Sequence, residues 1–221
     1  MRRIACAAPA LSLAACSGPL SAIDPAGPAA ASIAGLWWVM LAGAGAIFAL
    51  VMTLLLIAMR RGRSGERARS PGLWLGGLGL AFPSAVLLAL LVYALATGER
   101  LQAVSGSDVV RVAAEGHRFF WRFRQADGSV GDHILHIPAG RPVDVAIRSA
   151  DVIHSFWVPR LGGKMDAIPG KTNILRLRAD AAGVYAGVCA EYCGVGHARN
   201  RFRVVAHDAA GWAGRERRSH R

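Results

Sequence analysis

Two long uncharged stretches in the first half of the chain constrain its fold more than any other feature. No charged residue occurs in residues 25–59 or in residues 70–98. Each stretch exceeds the ~20 residues that a membrane-spanning helix needs. Two buried helices of a soluble core are a poor alternative, because the rest of the chain is too short to cover them both. We therefore predict transmembrane helices over residues 33–59 and 73–97.

The link between these helices, residues 60–72, contains five arginines and one glutamate. A short arginine-rich loop stays on the cytoplasmic side of a membrane. Both ends of the chain should therefore face outward. This arrangement predicts a multi-pass protein of the bacterial inner membrane, with its C-terminal part in the periplasm.

The first 15 residues have the pattern of an export signal. They combine a basic start, an apolar run and small residues before a cleavage point. The sequence "LAAC" resembles a bacterial lipobox, which would make Cys16 the lipidated first residue of the mature protein. An uncut N-terminal leader is the alternative. Residues 16–32 would form a periplasmic segment before the first helix.

The residue pattern of residues 98–212 differs from that of the two predicted helices. Short runs of β-branched and aromatic residues alternate with charged residues, and turn residues separate the runs. This pattern predicts an all-β sandwich or barrel with Greek-key connections. Residues 213–221 form a basic tail, which we expect to be solvated and without regular structure.

The outward part of the chain is positively charged. From residue 98 onward, 19 lysines and arginines face 12 acidic residues, a difference of +7. Such an excess favours an acidic partner or anionic lipid headgroups. Nucleic acid is not expected as a partner, because the basic residues are scattered and the domain is exported.

One loop has the residue types of a metal site. Cys189 and Cys193 are separated by three residues, and His197 follows at the same interval. Sulfur and imidazole together favour copper or zinc, and zinc sites more often use a closer cysteine pair. His154, at the end of a predicted strand, would supply a further ligand. A disulfide between the two cysteines is the alternative, but so short a bridge adds little stability and leaves His197 unexplained.

Two segments carry a family resemblance. "DVIHSFWVPRLGGKMDAIPGK" and "GVYAGVCAEYCGVGHAR" resemble the motifs of subunit II of the haem–copper cytochrome c oxidases, and the resemblance extends to the helical hairpin. It implies an N-terminal two-helix transmembrane hairpin followed by a C-terminal all-β, cupredoxin-like Greek-key barrel. The barrel would hold the dinuclear copper centre called CuA.

The resemblance also implies a function. CuA would take electrons from a cytochrome c-type donor and pass them to haem in subunit I, where oxygen is reduced and protons are translocated. The chain would thus be a subunit of an oxidoreductase whose oxygen chemistry resides in subunit I. Its partners would be subunit I, other oxidase subunits, the donor and the lipid membrane.

Site residues follow from the same resemblance. Cys189 and Cys193 would bridge two copper ions, and His154 and His197 would each bind one of them. Glu191 would offer its backbone carbonyl to copper and its carboxylate to a magnesium ion shared with subunit I.

The chain departs from the family pattern at two places. Asn200 occupies the position of a methionine that acts as a weak copper ligand, and we expect the centre to assemble with a weak oxygen contact from Asn200 or none. In "GHRFFWRF" the tryptophan that receives the electron in the family is replaced by Phe119, while Trp121 is kept. Either Phe119 or Phe120 would provide the contact for the donor, or the electrons would enter by a different route.

Three other functions are compatible with parts of the sequence. Subunit II of the quinol oxidases has the same fold without copper, but it loses the cysteines and histidines together. A copper-binding or copper-delivery membrane protein gains some weight from the missing methionine, although Glu191 would have no role in it. A soluble nitrous-oxide-reducing enzyme shares the copper centre but not the membrane hairpin.

Overall fold

The computed structural model describes four parts of the chain, which are residues 17–61, residue 70, residues 72–100 and residues 108–219. The predicted signal peptide, residues 1–15, and the predicted lipidation site, Cys16, lie outside the described residues. Most of the predicted cytoplasmic loop, residues 60–72, also lies outside them. The chain divides into two compact units, which are considered separately below.

The first unit is helical. Helix α1 spans Pro28–Arg61, and a π-helical segment, Gly72–Ala81, leads directly into helix α2, Phe82–Arg100. Both helical stretches are long and apolar enough to cross a membrane, and their most apolar windows are not buried by protein. Such surfaces are stable in lipid rather than in water. The predicted pair of apolar N-terminal helices is therefore confirmed.

The second unit is a β domain of two five-stranded sheets. Its ten strands are β1 (Val110–His117), β2 (Phe120–Arg124), β3 (Val130–Asp132), β4 (Ile134–Pro138), β5 (Val143–Ser149), β6 (His154–Trp157), β7 (Met165–Ala167), β8 (Asn173–Leu177), β9 (Gly183–Cys189) and β10 (Arg201–His207). The strand orders are β3-β2-β1-β5-β8 and β4-β10-β9-β6-β7. The predicted all-β domain is confirmed.

Alternating burial along the strands builds one core between the two sheets. In β1 the even-numbered positions from Val110 to Gly116 face inward, as period-two alternation requires. Four aromatic rings fill the centre of the core. Phe156 stacks on Phe202 at 4.6 Å between centroids and meets Trp121 edge-on at 5.6 Å. This aromatic centre lies directly beneath the loop that carries the cysteines.

The segment before and into the first turn of α1 is part of the β domain. The Ala26 amide donates to the Arg160 carbonyl at 2.7 Å, and the Asp180 amide donates to the Ala26 carbonyl at 2.9 Å. The Arg160 guanidinium binds the Asp24 carbonyl at 2.9 Å and its carboxylate at 3.1 Å. The predicted periplasmic segment thus joins two loops of the β domain.

The C-terminal tail is helical where the structure describes it, so the prediction of an irregular tail over residues 213–221 is wrong for those residues. Helix α3 spans Ala209–Ser219. The Asp208 carboxylate accepts a hydrogen bond from the Gly211 amide at 2.8 Å, which satisfies a free donor at the helix start. Trp212 is buried against the β domain. The Asp208 cap and the buried Trp212 therefore stabilise a helix whose sequence is mostly polar and charged.

A pair of histidines joins β4 to β10 beneath α3. His136 Nδ1 lies 2.8 Å from His207 Nε2. Burial, then repulsion from Arg215 and His207, lowers the pKa of His136 to about 4, against a weaker opposing effect of Asp127. The pKa of His207 is also lowered, by burial and Arg215, with Asp208 opposing. Both imidazoles are therefore held in the neutral form in the folded domain.

This pair predicts a pH-dependent stability. An unfolded histidine has a pKa of ~6.5, so the unfolded chain binds more protons than the folded chain between that pH and about 4. The stability that the neutral pair contributes is complete above pH ~6.5 and is lost as the pH falls towards the folded pKa. We expect the urea midpoint of the full chain in non-ionic detergent to fall over this range, and to fall less steeply in His136→Gln.

The exposed His133 provides the matched control. His133→Gln should keep the wild-type dependence of the urea midpoint on pH. Equal slopes for the wild type and for His136→Gln would contradict the assignment of the effect to the half-buried pair, His136 and His207.

Candidate metal centre

The cysteine loop connects two neighbouring strands of one sheet. β9 ends at Cys189 and β10 begins at Arg201, and a 3₁₀ turn over His197–Arg199 shortens the path between them. The Cys189 amide donates to the Asn200 carbonyl at 2.9 Å, which closes the base of the loop. The next amide, that of Ala190, donates to the carbonyl of residue 155 in β6, so the loop is also fixed to its other neighbour.

Four donor side chains from two separated segments converge at this loop. The Cys189 and Cys193 sulfurs are 4.0 Å apart. His154 Nδ1 lies 3.7 Å from Cys189 Sγ, and His197 Nδ1 lies 3.7 Å from Cys193 Sγ. Both cysteines are free thiols, so the structure does not contain the alternative disulfide. The ligand atoms of His154 and the two cysteines all lie within 4.8 Å of one another.

These distances fit metal binding. Metal bonds of about 2.3 Å to sulfur and 2.0 Å to nitrogen, joined at a tetrahedral angle, separate the two donor atoms by about 3.5 Å. Each histidine therefore lies at a suitable distance to share an ion with its nearest sulfur. The donor set of thiolate and imidazole suits copper or zinc and is unsuitable for calcium or magnesium.

Burial affects the protonation of the site. Cys189, Cys193 and His154 are all buried, and burial raises the pKa of the Cys189 thiol. The neighbouring Cys193 sulfur acts in the same direction. A metal ion that binds the thiolates must therefore displace protons, and metal affinity should rise with pH.

Asp151 orients His154. Its Oδ1 lies 2.7 Å from His154 Nε2, which leaves Nδ1 directed at the sulfurs. Burial opposes ionisation of Asp151, but hydrogen bonds from His154 and from the Val152 and Arg118 amides outweigh it and hold its pKa at about 2. A carboxylate on the outer nitrogen fixes the tautomer of a metal-binding histidine. Sequence reasoning missed this residue, although it lies three positions before the histidine.

Gly116 provides the space for the His154 ring. A Cβ at position 116 would lie 2.9 Å from two carbons of that ring, closer than side chains approach one another. We expect Gly116→Ala to push the imidazole off its position, to lower the free energy of unfolding by about 1–3 kcal/mol and to reduce copper bound per chain.

Gly131→Ala in β3 is the matched control, because nothing lies within 4 Å of the added Cβ. Urea unfolding and copper analysis of both variants check this prediction. Similar copper contents in the two alanine variants would show that the ring has room to adjust.

Asn200 lies inside the site. It is buried, and its Nδ2 donates to the His117 carbonyl at 3.3 Å and lies 3.8 Å from Cys193 Sγ. Its Oδ1 is buried without a hydrogen-bond partner among the described residues. A buried polar atom without a partner costs about 1–3 kcal/mol. The amide group therefore lies beside the cysteine loop, and its oxygen is free to act as a metal ligand.

Glu191 presents two oxygen groups to different surroundings. Its backbone carbonyl accepts from Cys189 Sγ at 3.2 Å, so it lies at the edge of the donor cluster. Its carboxylate is partly exposed and lies 3.7 Å from the Lys164 ammonium. The carboxylate is therefore engaged at the protein surface, by Lys164.

The three aromatic residues singled out in the sequence occupy different environments. The Phe119 ring packs against the cysteine loop, where a Cβ on Gly196 would lie 2.4 Å from it and a Cβ on Gly194 would lie 3.2 Å from it. Phe120 stacks on the His117 ring at 4.5 Å. Trp121 is fully buried, and its ring centroid lies 6.0 Å from that of His154. Phe119 contacts the loop, whereas Trp121 supports the site from the core.

Comparisons with known proteins agree with this architecture. Residues 129–206 match the family model described as cytochrome c oxidase subunit II, periplasmic domain. Cytochrome c oxidase subunit 2 of Alkalihalophilus pseudofirmus is 43% identical over 102 residues, which are 46% of this chain and 30% of that protein. The corresponding protein of Thermostichus vulcanus is 43% identical over 99 residues, 45% of this chain and 29% of that protein. The matched stretch thus spans less than a third of these relatives.

Among solved structures, the periplasmic domain of subunit II of cytochrome oxidase from Bradyrhizobium japonicum is similar to the β domain. The TM-score is 0.49 with 25% sequence identity, and the match covers 53% of this chain and 97% of that structure.

The fold and the donor set define the class as a cupredoxin-like β domain with a thiolate–imidazole metal site, preceded by two membrane-type helices. Within that class, the matches support subunit II. Over residues 129–206 the chain is similar to the periplasmic domain of cytochrome c oxidase subunit II.

Proposed function

We propose that this chain is the electron-accepting subunit of a terminal oxidase. It would take electrons from a cytochrome c-type donor through a dinuclear CuA centre and pass them to haem in subunit I, where oxygen reduction is coupled to proton translocation. The observation that carries this proposal is the convergence of four buried or partly buried donors in which each histidine approaches a different sulfur. That pattern supports two metal positions on either side of the sulfur pair.

The four side chains divide the binding between them. Cys189 and Cys193 would bridge two copper ions, and His154 and His197 would each complete one of the two positions. When bound, the copper pair supplies a reversible one-electron carrier. The chain's own contribution is rigidity, because backbone hydrogen bonds fix both ends of the loop and Asp151 fixes the His154 ring. Ligands held in place in this way change little in geometry when the charge of the site changes.

Asn200 would take the place of the weak ligand. Its amide group lies beside Cys193, with Nδ2 3.8 Å from Sγ and with Oδ1 buried and unpartnered among the residues described. Rotation of the amide by half a turn about its last bond would offer the oxygen to the copper nearer Cys193. An amide oxygen can replace a thioether in the weak axial position of copper sites while the strong ligands remain, and this exchange tunes the reduction potential. The centre would therefore assemble with an altered potential.

Electrons would enter beside the cysteine loop. Phe119 is the best placed of the three aromatic residues, because it is partly exposed and contacts Gly194 and Gly196 directly. Phe120 is the second candidate for the contact with the donor. Trp121 would act only by holding His154 from the core.

Glu191 would connect the site to subunit I. Its backbone carbonyl lies beside Cys189, and its exposed carboxylate offers the oxygen ligand that magnesium prefers. A magnesium ion shared with subunit I would replace the contact between this carboxylate and Lys164. The complex would lie in the bacterial inner membrane, with the β domain in the periplasm and Cys16 as its lipidated N-terminus.

The alternatives are less well supported. A copper-delivery protein must release its ion, whereas His154 and both cysteines are at most 5% exposed. A quinol-oxidase-type subunit would not retain four converging donors. Co-purification with a haem-bearing partner would separate an oxidase subunit from a delivery protein.

The decisive experiment compares the full chain with its Asn200→Met variant after copper loading in non-ionic detergent. We expect about two copper ions per chain and a mixed-valence EPR signal in both proteins. The reduction potential, measured by spectroelectrochemistry, should differ between them. A wild-type chain that binds copper without a mixed-valence signal would overturn the proposed function.

A further inference from the structure

Three exposed apolar side chains lie on the loops that carry the metal donors. Val195 is 96% exposed, Tyr192 is 72% exposed and Ile153, next to His154, is 48% exposed. Within residues 108–219, six large apolar side chains are exposed, so half of them lie at this one place. The Tyr192 ring lies 5.8 Å from the His197 ring. Exposed apolar groups that cluster at a site indicate a surface that contacts a partner.

Two arginines belong to the same region of the fold, because Arg199 lies in the cysteine loop and the Arg118 amide bonds to Asp151, two positions before Ile153. Arg118 and Arg199 are exposed, and neither guanidinium forms an ion pair among the residues that the structure describes. We name Ile153, Tyr192, Val195, Arg118 and Arg199 the docking face.

Acidic side chains on the same loops are already engaged. Asp151 binds His154 and the amide of residue 118, and Glu191 lies against Lys164. Glu115 binds both His117 and Arg148. Arg148 and Lys164 match the charges of Glu115 and Glu191, whereas Asp151 has no cationic side chain against it within the described part of the chain. The two arginines of the docking face exceed that one carboxylate, so the net charge offered to a partner is positive.

We propose that the docking face binds an electron-donor protein whose contact surface is apolar at its centre and acidic at its rim. This proposal rests on the proposed function for its purpose, since docking over Tyr192 places a donor beside His197. In the transfer step one electron leaves the donor haem iron and enters the centre, and no bond or proton moves. The arginine rim would steer the acidic donor and exclude lysine-rich ones, because like charges at an interface are repulsive.

The test uses two probes that differ only in charge. One is a lysine-rich cytochrome c, and the other is the same cytochrome after succinylation of its lysines. Binding of each to the copper-free full chain in non-ionic detergent is measured at ionic strengths of roughly 20 mM and 200 mM. We expect the succinylated cytochrome to bind at least roughly tenfold more tightly at the lower ionic strength, and the difference to shrink at the higher one.

Charge-reversal variants locate the effect. Arg118→Glu and Arg199→Glu should each weaken binding of the succinylated cytochrome by roughly three- to tenfold at low ionic strength. Arg217→Glu is the matched control, because Arg217 is exposed on α3, which follows the far end of β10. That end lies about 20 Å along the strand from Arg201. The control should bind like the wild type.

The outcomes separate this proposal from the proposed function. Equal binding of the two cytochromes, or tighter binding of the lysine-rich one, would overturn the docking proposal even if copper loading gives the mixed-valence signal. Equal binding is also the result expected if the arginines contact only lipid headgroups. The docking proposal is supported if the wild type prefers the succinylated cytochrome and both Arg→Glu variants lose this preference. That result does not depend on whether the copper centre forms.

Discussion

The Cys193→Ser variant is expected to lose the mixed-valence EPR signal completely and to bind at most about one copper ion per chain. Cys193 Sγ is the atom that lies between the two halves of the site, 4.0 Å from Cys189 Sγ and 3.7 Å from His197 Nδ1. A serine hydroxyl is a hard ligand that stays protonated at neutral pH, so it cannot bridge two copper ions as a thiolate does.

The substitution is nearly isosteric, so the fold should survive it. Far-ultraviolet circular dichroism of the full chain in non-ionic detergent checks this point, and copper analysis with EPR gives the result. His133→Ala, which removes an exposed histidine outside the cluster, should keep the signal. A Cys193→Ser chain with the wild-type signal would mean that the bridging role lies elsewhere.

The Phe156→Ala variant is expected to lose about 3–5 kcal/mol of unfolding free energy. Phe156 is fully buried, with its ring centroid 4.6 Å from that of Phe202, 5.6 Å from that of Trp121 and 6.4 Å from that of Phe123. Its backbone pairs with Cys189 across β6 and β9. The cavity would therefore open at the centre of the core, directly beneath the metal loop.

Urea unfolding of the full chain, followed by tryptophan fluorescence, measures this loss. Phe156→Leu keeps most of the volume and should cost less than about half as much. Val184→Ala, at a position that is 62% exposed, should change the free energy of unfolding by no more than about 0.5 kcal/mol. A loss below about 1 kcal/mol in Phe156→Ala would show that the neighbouring rings fill the space.

Local pattern was sufficient to predict the parts of the fold that repeat at short range. The uncharged runs identified both apolar helices. Alternation in "VVRVAAEGHRFFWRFR", "HILHIP", "PVDVAIRS", "NILRLRA" and "RFRVVAH" identified β1, β2, β4, β5, β8 and β10. The metal site was predictable because cysteine and histidine spacing is visible within one loop and its partner, His154, follows a distinct apolar motif. In the structure the four predicted side chains, those of His154, Cys189, Cys193 and His197, lie close together.

Elements that depend on distant contacts were missed. β9 contains Gly187, which weakens any strand pattern, yet the Phe202 ring occupies the space where a side chain at position 187 would lie. α3 contains Gly211 and Gly214 and looks like a charged tail, and it folds because Trp212 is buried. Neither reason can be seen within a short window of sequence.

Paired side chains far apart in sequence were equally invisible. His136 and His207 are 71 positions apart, and only the parallel pairing of β4 with β10 brings them together. Gly116 has no local signal either, because its role is to leave space for His154.

The attachment of the N-terminal segment constrains the order in which the parts of the β domain can fold. Asp24 and Arg160 are 136 positions apart, so the N-terminal segment can bind its partner loop only after that loop has been synthesised. The cysteines arrive later still, at the end of β9, and the loop closes only when β10 has been synthesised. Contacts of such long range are slow to form. The metal loop is therefore among the last parts of the β domain to close, because its four donor side chains are held together only once β10 is in place.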